Sequence, residues 1–457
     1  MGTSDRRVAI VGGGIAGLAA AHALATSPDA PQVVVFEADE RVGGKLLTTP
    51  FAGHSAIDEG PDAFLARLPW GTGLANAIGL GDQLVSPAAS KAAVWWDGLH
   101  DIPQGLLLGM PTDVLALARS RLISWPGKLR AATEAFRSRT STEPDSLGAY
   151  VRARFGNEIH LRLVDPLVGS IYAADTDHFS LAAVPQIADL ANKARSILVA
   201  GRRMPKPSAA AGPVFYAPRG GMGELALCTA AAATNAGATI RTGAQVLAIG
   251  RDGDGWRVDD ERFDGVVLAC PSKAAGELLG PLLPDAARTL GSIPAADVAM
   301  VTLAVPIADW PDHLRALSGY LVPKPVQRLV TAASFGSQKW VHWALADAVL
   351  LRISMGRDGL PVLHLSDEQL LTAAVEEVGG HLGLSLRPSA HRVSRWPGAF
   401  PQYRPHHAGI VAELEATLPR GLAIAGAGYH GIGVPACINS AQRASRAISD
   451  VLAAMAQ

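Results

Sequence analysis

In the stretch Arg7-Val8-Ala9-Ile10-Val11-Gly12-Gly13-Gly14-Ile15-Ala16-Gly17 an apolar strand runs into a glycine turn. An alanine-rich helix, Leu18 to Ala25, comes next, then a second apolar strand, Val33-Val34-Val35-Phe36, ending in Glu37. Strand, glycine turn, helix and acidic strand end together read as a βαβ unit that holds a dinucleotide. Gly12 permits the tight turn, Gly14 lets a pyrophosphate approach the backbone, and Gly17 lets the helix pack closely on the strand. The helix start offers free N–H groups and a positive dipole end to phosphates. Glu37 stands 20 residues after Gly17, where an acidic side chain reaches ribose hydroxyls.

Two other readings of the N-terminal stretch are weaker. Arg6-Arg7 precedes the apolar run Val8 to Ala25, as in some export signals. The glycine punctuation and the continuation in register to Glu37 argue against a cleaved leader. Met1-Gly2 does not open a myristoylation signal, because Arg6 stands where Ser or Thr is wanted.

A length of 457 residues calls for two or three domains, and these can be discontinuous. With 49% apolar and 18% charged residues the composition is globular. A net charge of −1 exerts no global pull on nucleic acid or anionic lipid. Aromatic residues, at 5%, form no basic and aromatic platform for single strands, so no nucleic-acid partner is expected. Cys228, Cys270 and Cys437 are far apart, which excludes a disulfide framework and suits a cytoplasmic setting. Outside the N-terminal stretch no apolar run approaches a membrane span, so no stable membrane insertion is expected. His406-His407 lacks metal-ligand spacing and no GxSxG occurs, so neither a metal site nor a hydrolytic elbow is expected.

Further along, Leu46 to Thr48 and Ser55 to Asp58 read as extended segments before the turn Glu59-Gly60-Pro61-Asp62. Met110 to Arg139 and Ser146 to Leu167 read as helical, the second capped by Asp145 or Ser146 and ending near Pro166. Residues 201–213 read as a basic, proline-rich mobile loop. A helix is expected over Gly223 to Asn235, followed by short strands at 238–241, 245–249 and 256–258. Gly265 to Cys270 and Gly421 to Gly426 read as buried strands, and Val298 to Ser354 as mostly β. Helices are expected over Asp367 to Leu382 and Pro435 to Ala454.

The fold class is therefore α/β with α+β parts: a Rossmann-like nucleotide domain assembled discontinuously, an antiparallel-sheet substrate domain and a helical insertion. The expected division is 1–68, 214–282 and 415–457 for the nucleotide domain. The substrate domain takes 69–105, 186–213 and 283–414, and the helical domain 106–185.

Arg41-Val42-Gly43-Gly44, directly after Glu37, resembles the second signature of the large FAD-dependent oxidase group. That group contains monoamine oxidases, phytoene desaturases and porphyrinogen oxidases. Five further islands resemble the porphyrinogen oxidases: Asp58 to Arg67, Pro166 to Asp175, Tyr216 to Met222, Trp396 to Tyr403, and Tyr429 to Ile438. They follow the family order across nearly the whole chain, and the match is nearest the soluble Gram-positive coproporphyrinogen III oxidases. Ser170 and Ala174 depart from the family's G-V-Y-A-G-D stretch, and Leu68 stands where several relatives carry lysine.

The resemblance implies FAD as cofactor, held by Gly12, Gly13, Gly14, Ile15, Ala16, Gly17, Glu37, Ala38, Arg41, Gly44 and Lys45. It adds Gly60, Pro61, Asp62, Ala63, Val246 at the adenine, Trp396 beside the flavin, and Ile432, Gly433 and Val434 at its pyrimidine edge. It implies coproporphyrinogen III and O2 as reactants in haem synthesis, with protoporphyrinogen IX as rival substrate, and allows transient contact with other haem-pathway enzymes. The flavin carries the chemistry, so no catalytic side chain is assigned. Arg67, Lys193, Arg195, Arg202, Arg203 and Lys206 are candidate partners for substrate carboxylates, and Tyr172 and Tyr403 for the macrocycle. An amine oxidase of the same fold would need an aromatic cage, for which Tyr403 and Tyr429 are the obvious pair. His430 reads as structural.

Overall fold

The computed structural model describes residues 6–89, 91–203 and 212–455. Met1, Gly2 and Lys206, with most of the proline-rich loop, lie outside the described residues.

Five parallel strands build one sheet, in the spatial order Thr239–Arg241, Gln32–Phe36, Arg7–Val11, Gly265–Leu268, Leu422–Ile424. The Leu422–Ile424 strand pairs with Gly265–Leu268 and reaches the first strand only through it. Parallel strands covered on both faces should read as unbroken apolar runs, and Val8, Ala9 and Ile10 are fully buried. Alternate side chains separate onto the two faces. Val8, Ile10, Val33 and Val35 pack under the helices Ile15–Ala25, Met222–Asn235 and Val434–Ala454. Ala9, Val11, Val34 and Phe36 pack against Trp256, Phe263 and the helices Ser272–Leu279 and Pro284–Ser292.

The second sheet has seven strands, in the order Ala390–Pro401, Ala295–Pro306, Ala348–Met355, Val330–Phe335, Gly319–Leu321, Ala92–Trp95, Leu99–Asp101. Its neighbours are antiparallel except Gly319–Leu321 and Ala92–Trp95. Pro397 and Gly398 inside the Ala390–Pro401 strand disguise it in the sequence. The strand bulges there, residues 397–399 standing opposite Asp297 alone, with Gly398 N donating to Asp297 Oδ1 at 2.8 Å.

Helices dominate residues 114–203. The segment expected to end near Pro166 runs on to Tyr172. A π turn over His160–Val164 precedes Pro166, so the proline sits in a new first turn where its missing N–H breaks no bond. Ser146 caps the Leu147–Phe155 helix, its hydroxyl accepting from Ala149 N at 3.2 Å. Asp145 instead accepts from Ser180 Oγ, Ala182 N and His406 N. Residues 245–248 are not a strand as expected, because Leu247 N and Ala248 N donate to the Asp259 carboxylate rather than to a ladder.

Candidate cofactor cradle and flanking cavity

At the carboxyl end of the first strand Gly12 adopts φ +109°, and a Cβ there would lie 2.8 Å from Ala269 O. A Cβ on Gly17 would overlap Gly12 O outright, so the helix rests directly on the turn. Gly14 differs. It is the N-cap of the Ile15–Ala25 helix, with φ −71°, and a Cβ built on it meets nothing within 4 Å. No side chain caps this helix, so its first N–H groups face open space beside Gly14.

The second glycine loop lies on the first. Gly43 N donates to Gly13 O at 2.8 Å, and Gly14 bridges to Gly43. Arg41 braces this loop from within, Nη2 donating to Gly44 O at 2.8 Å. Glu37 accepts from Gly13 N at 2.6 Å and Asp39 N at 2.9 Å, which fixes its carboxylate at the rim of the turn. Residues 243–246 run alongside, with Gly243 N donating to Asp39 O and Ala244 N to Glu37 O, so Val246 stands beside Glu37 and Ala38.

Lys45 carries the loop toward Gly60. A Cβ on Gly60 would overlap Lys45 O, and Trp396 lies across it, Nε1 donating to Glu59 O at 3.0 Å. Burial lowers the affinity of Lys45 for its proton, and Nζ lies 3.5 Å from Gly398 O. Asp62 lies in a cationic nest: Lys339 Nζ at 2.8 Å, Trp340 Nε1 at 3.1 Å and Arg352 at 3.3 Å. Burial opposes its ionisation, but Lys339 and Arg352 outweigh burial and hold the carboxyl well below the usual range. Arg352 also donates to Gly60 O, tying this segment to the seven-stranded sheet.

Asp58 is fully buried and accepts from Thr48 Oγ1 and, at 2.8 Å, from Met222 N, while Oδ2 has no partner. Burial raises its pKa to about 6.

From the other end of the chain, Gly433 is the N-cap of the long Val434–Ala454 helix, which again has no side-chain cap. Tyr403 sets the approach to it: its hydroxyl donates to Ala427 O at 2.6 Å and accepts from Gly431 N at 2.7 Å. Cys437 is buried in this first turn, and burial pushes its thiol up to about 11.

The substrate-contact candidates are scattered. Tyr403, expected to touch substrate, is buried, stacked at 4.0 Å on His407, and both functions of its hydroxyl are engaged. Tyr172 is half-buried against Phe179 at 4.8 Å. Arg67 is exposed, Lys193 pairs with Asp189 at 3.7 Å, and Arg195 donates to the carbonyls of Ala135 and Arg137. Arg202 and Arg203 are exposed at the end of the Ile197–Arg203 helix. Leu68 is the N-cap of the Pro69–Ala77 helix, and His430 pairs with Glu415 at 2.7 Å. Tyr403 and Tyr429 are both buried, so neither ring stands open as the wall of an aromatic cage. Sequence reasoning missed Arg352, Lys339, Gln327 and Arg357. They sit on a strand, a short helix and turns whose local pattern announces no chemistry.

Two glycine loops, an acidic strand end and two uncapped helix N-termini thus define a nucleotide-cofactor enzyme. A family model described as flavin containing amine oxidoreductase matches residues 15–449, and the chain belongs to that family. It is a flavin-dependent oxidoreductase. The chain is 34% identical to the coproporphyrinogen III oxidase of Mycobacterium bovis, over 98% of each chain. With that of Bacillus subtilis the identity is 29%, over 99% of each. A crystal structure from Exiguobacterium sp. 255-15, which carries a provisional protoporphyrinogen oxidase name, superposes with a TM-score of 0.85. It is 31% identical and covers 99% of this chain and all of its own. Among the described residues no helix is long and apolar enough to cross a membrane.

Proposed function

We propose that the chain binds FAD and oxidises coproporphyrinogen III to coproporphyrin III. The observation that carries this reading is the end-to-end match to relatives of that name. The geometry fits the cofactor: the space beside Gly14 and the free N–H groups of the Ile15–Ala25 helix suit a pyrophosphate. Gly12, Gly13, Ile15, Ala16, Gly17, Arg41, Gly44 and Lys45 would line the phosphates and ribityl chain. Glu37, Ala38 and Val246 would hold the adenosine end. Gly60 to Ala63, Trp396 and Ile432 to Val434 would border the flavin ring.

Bound FAD would supply the two-electron acceptor, with O2 as terminal oxidant and hydrogen peroxide as product. Three rounds remove six electrons and six protons from one porphyrinogen. The protein's part is placement and field. The uncapped N-terminus of the Val434–Ala454 helix would stabilise negative charge at the pyrimidine edge, which favours electron uptake. Gly431 and the Tyr403 hydroxyl hold that helix start in position.

The test is direct. Purified protein should be yellow, and coproporphyrinogen III under argon should bleach the visible flavin band. In air, porphyrin fluorescence should rise with three peroxides per porphyrin. Faster turnover of protoporphyrinogen IX would reassign the substrate, and a protein that stays colourless with excess FAD would overturn the reading.

A further inference from the structure

A small cavity, with about 30 Å³ of room for the centres of water-sized groups, separates the Asp165–Tyr172 helix from the seven-stranded sheet. Pro166, Gly169 and Ser170 form one wall, and Val298, Ser354 and Phe400 the other. Ser354 lies two residues beyond Arg352 on the same strand, so both point to one face of the sheet. Arg352 bonds Gly60 O on that face, which places the cavity and the proposed flavin-bordering segment on the same side.

Two side chains lining this cavity carry buried donors without acceptors: Gln327 Nε2 and Arg357 Nε. Gln402 Oε1, beside Ala173 and Phe400, is buried and unpaired but bonds neither donor, and the acceptors that Arg357 and Thr331 reach are occupied. Asp165 takes Arg357 Nη1 and Nη2 at 3.1 and 2.8 Å and also the Thr176 hydroxyl. Ala174 O takes Arg357 Nη2, and Ser354 O takes Thr331 Oγ1. Arg357 is itself only 6% exposed and locked by these bonds, so it cannot turn its Nε to water by a simple rotation. Buried donors left unpaired are costly, and such groups in a cavity call for a ligand that brings acceptors.

We propose that this cavity takes a carboxylate arm of the substrate, anchored by Gln327 Nε2 and Arg357 Nε. The inference rests on the porphyrinogen reading above, whose substrate carries four propionates. A carboxylate matches two separate N–H donors because each oxygen accepts in its own direction, and such bonds are stronger than neutral ones. The aliphatic part of the arm would lie along Pro166, Val298 and Phe400. Arg357 positions the arm and also joins the helix to the sheet through Asp165, so Gln327 is the residue to vary.

The holoenzyme should be titrated with coproporphyrin III and with its tetramethyl ester, following quenching of porphyrin fluorescence. Wild type should bind the acid more tightly than the ester. Gln327→Leu should weaken the acid about tenfold, as expected for one lost charge-assisted hydrogen bond, and leave the ester unchanged. KM for coproporphyrinogen III should rise by a similar factor. Gln327→Glu, which sets like charge against the arm, should weaken the acid further. If Gln327→Leu folds poorly, Gln327→Met, of equal length, carries the same test. Equal binding of acid and ester by wild type, or Gln327→Leu binding the acid within about twofold of wild type, would overturn the proposal. Failure of wild type to bind or oxidise any porphyrinogen would instead sink the reading on which it rests.

Discussion

Gly17→Ala and Gly14→Ala separate a glycine that the fold needs from one that the ligand needs. In an ordinary helix Gly→Ala stabilises by about 1 kcal/mol, because alanine loses less backbone entropy. At Gly17 the new methyl would overlap Gly12 O, lie 3.0 Å from Gly12 C and 3.3 Å from Ala269 Cβ. Two of these atoms belong to backbone, and Gly12 is itself held by its N–H bond to Phe36 O at 2.8 Å. The helix must therefore lift from the turn. Overpacking of this kind costs about 1–3 kcal/mol, which outweighs the propensity gain. At Gly14 the methyl meets nothing within 4 Å and φ is −71°, so the fold tolerates it. The methyl would nevertheless occupy the space assigned to a pyrophosphate. Urea unfolding of the apoproteins should show a lower midpoint for Gly17→Ala and an unchanged or higher one for Gly14→Ala. Flavin titration should show weaker binding for both, with the apoprotein of Gly14→Ala intact. A Gly17→Ala apoprotein as stable as wild type, or a Gly14→Ala protein with undiminished FAD affinity, would refute the reasoning.

Burial raises Asp58 to about pH 6, so the native state binds a proton that the unfolded chain releases near pH 4. Wild type should accordingly lose stability relative to Asp58→Asn as pH rises from about 4 to about 6, read from paired urea curves. Asp62 runs the other way: its depressed pKa contributes stability above the ordinary aspartate range that is lost as acid protonates it. Asp62→Asn should therefore unfold more readily than wild type at neutral pH, and the difference should shrink in acid. Tyr403→Phe leaves Gly431 N and Ala427 O without their partner, which costs about 1–3 kcal/mol. The loss should appear as a lower unfolding midpoint together with weaker FAD binding, because the tyrosine holds the start of the Val434–Ala454 helix. Glu134→Ala strands Arg154, which is 1% exposed, and releases Ser196 Oγ, Ile197 N and Leu198 N. Breaking a buried pair from one side costs about 3–5 kcal/mol, and limited proteolysis near residues 195–203 should accelerate sharply.

Much of the architecture was legible because its causes are local or periodic. Unbroken apolar runs at 8–11, 33–36 and 265–268, short and bounded by turn signals, suit strands buried on both faces, and they form the parallel sheet. The Asp367–Leu382 helix was expected, and the structure adds its capping box, in which Ser366 and Gln369 form both reciprocal bonds. Where reading failed, a longer-range partner had overruled the local pattern. The Asp259 carboxylate takes the N–H groups that residues 247 and 248 would have given to a ladder. The helix passes Pro166 because a π turn before it absorbs the missing donor.

The site divides the same way. Gly12 and Gly17 are readable from sequence because the positive φ of the turn and the helix resting on it fall within six residues of chain, although Ala269 closes on both only in the fold. Glu37 was legible too, since the second strand delivers it to the turn by simple register. Packing decided the rest: Gly60 meets Trp396, Gly243 meets Asp39 and Gly431 meets Tyr403 only when distant stretches fold together. Charge pairing shows the gap most plainly. No spacing rule joins Asp62 to Lys339 or Asp165 to Arg357, and Gln327 becomes conspicuous only when burial leaves its amide without an acceptor. Steric necessity is written along the chain, whereas desolvation depends on what the rest of the chain brings against a group.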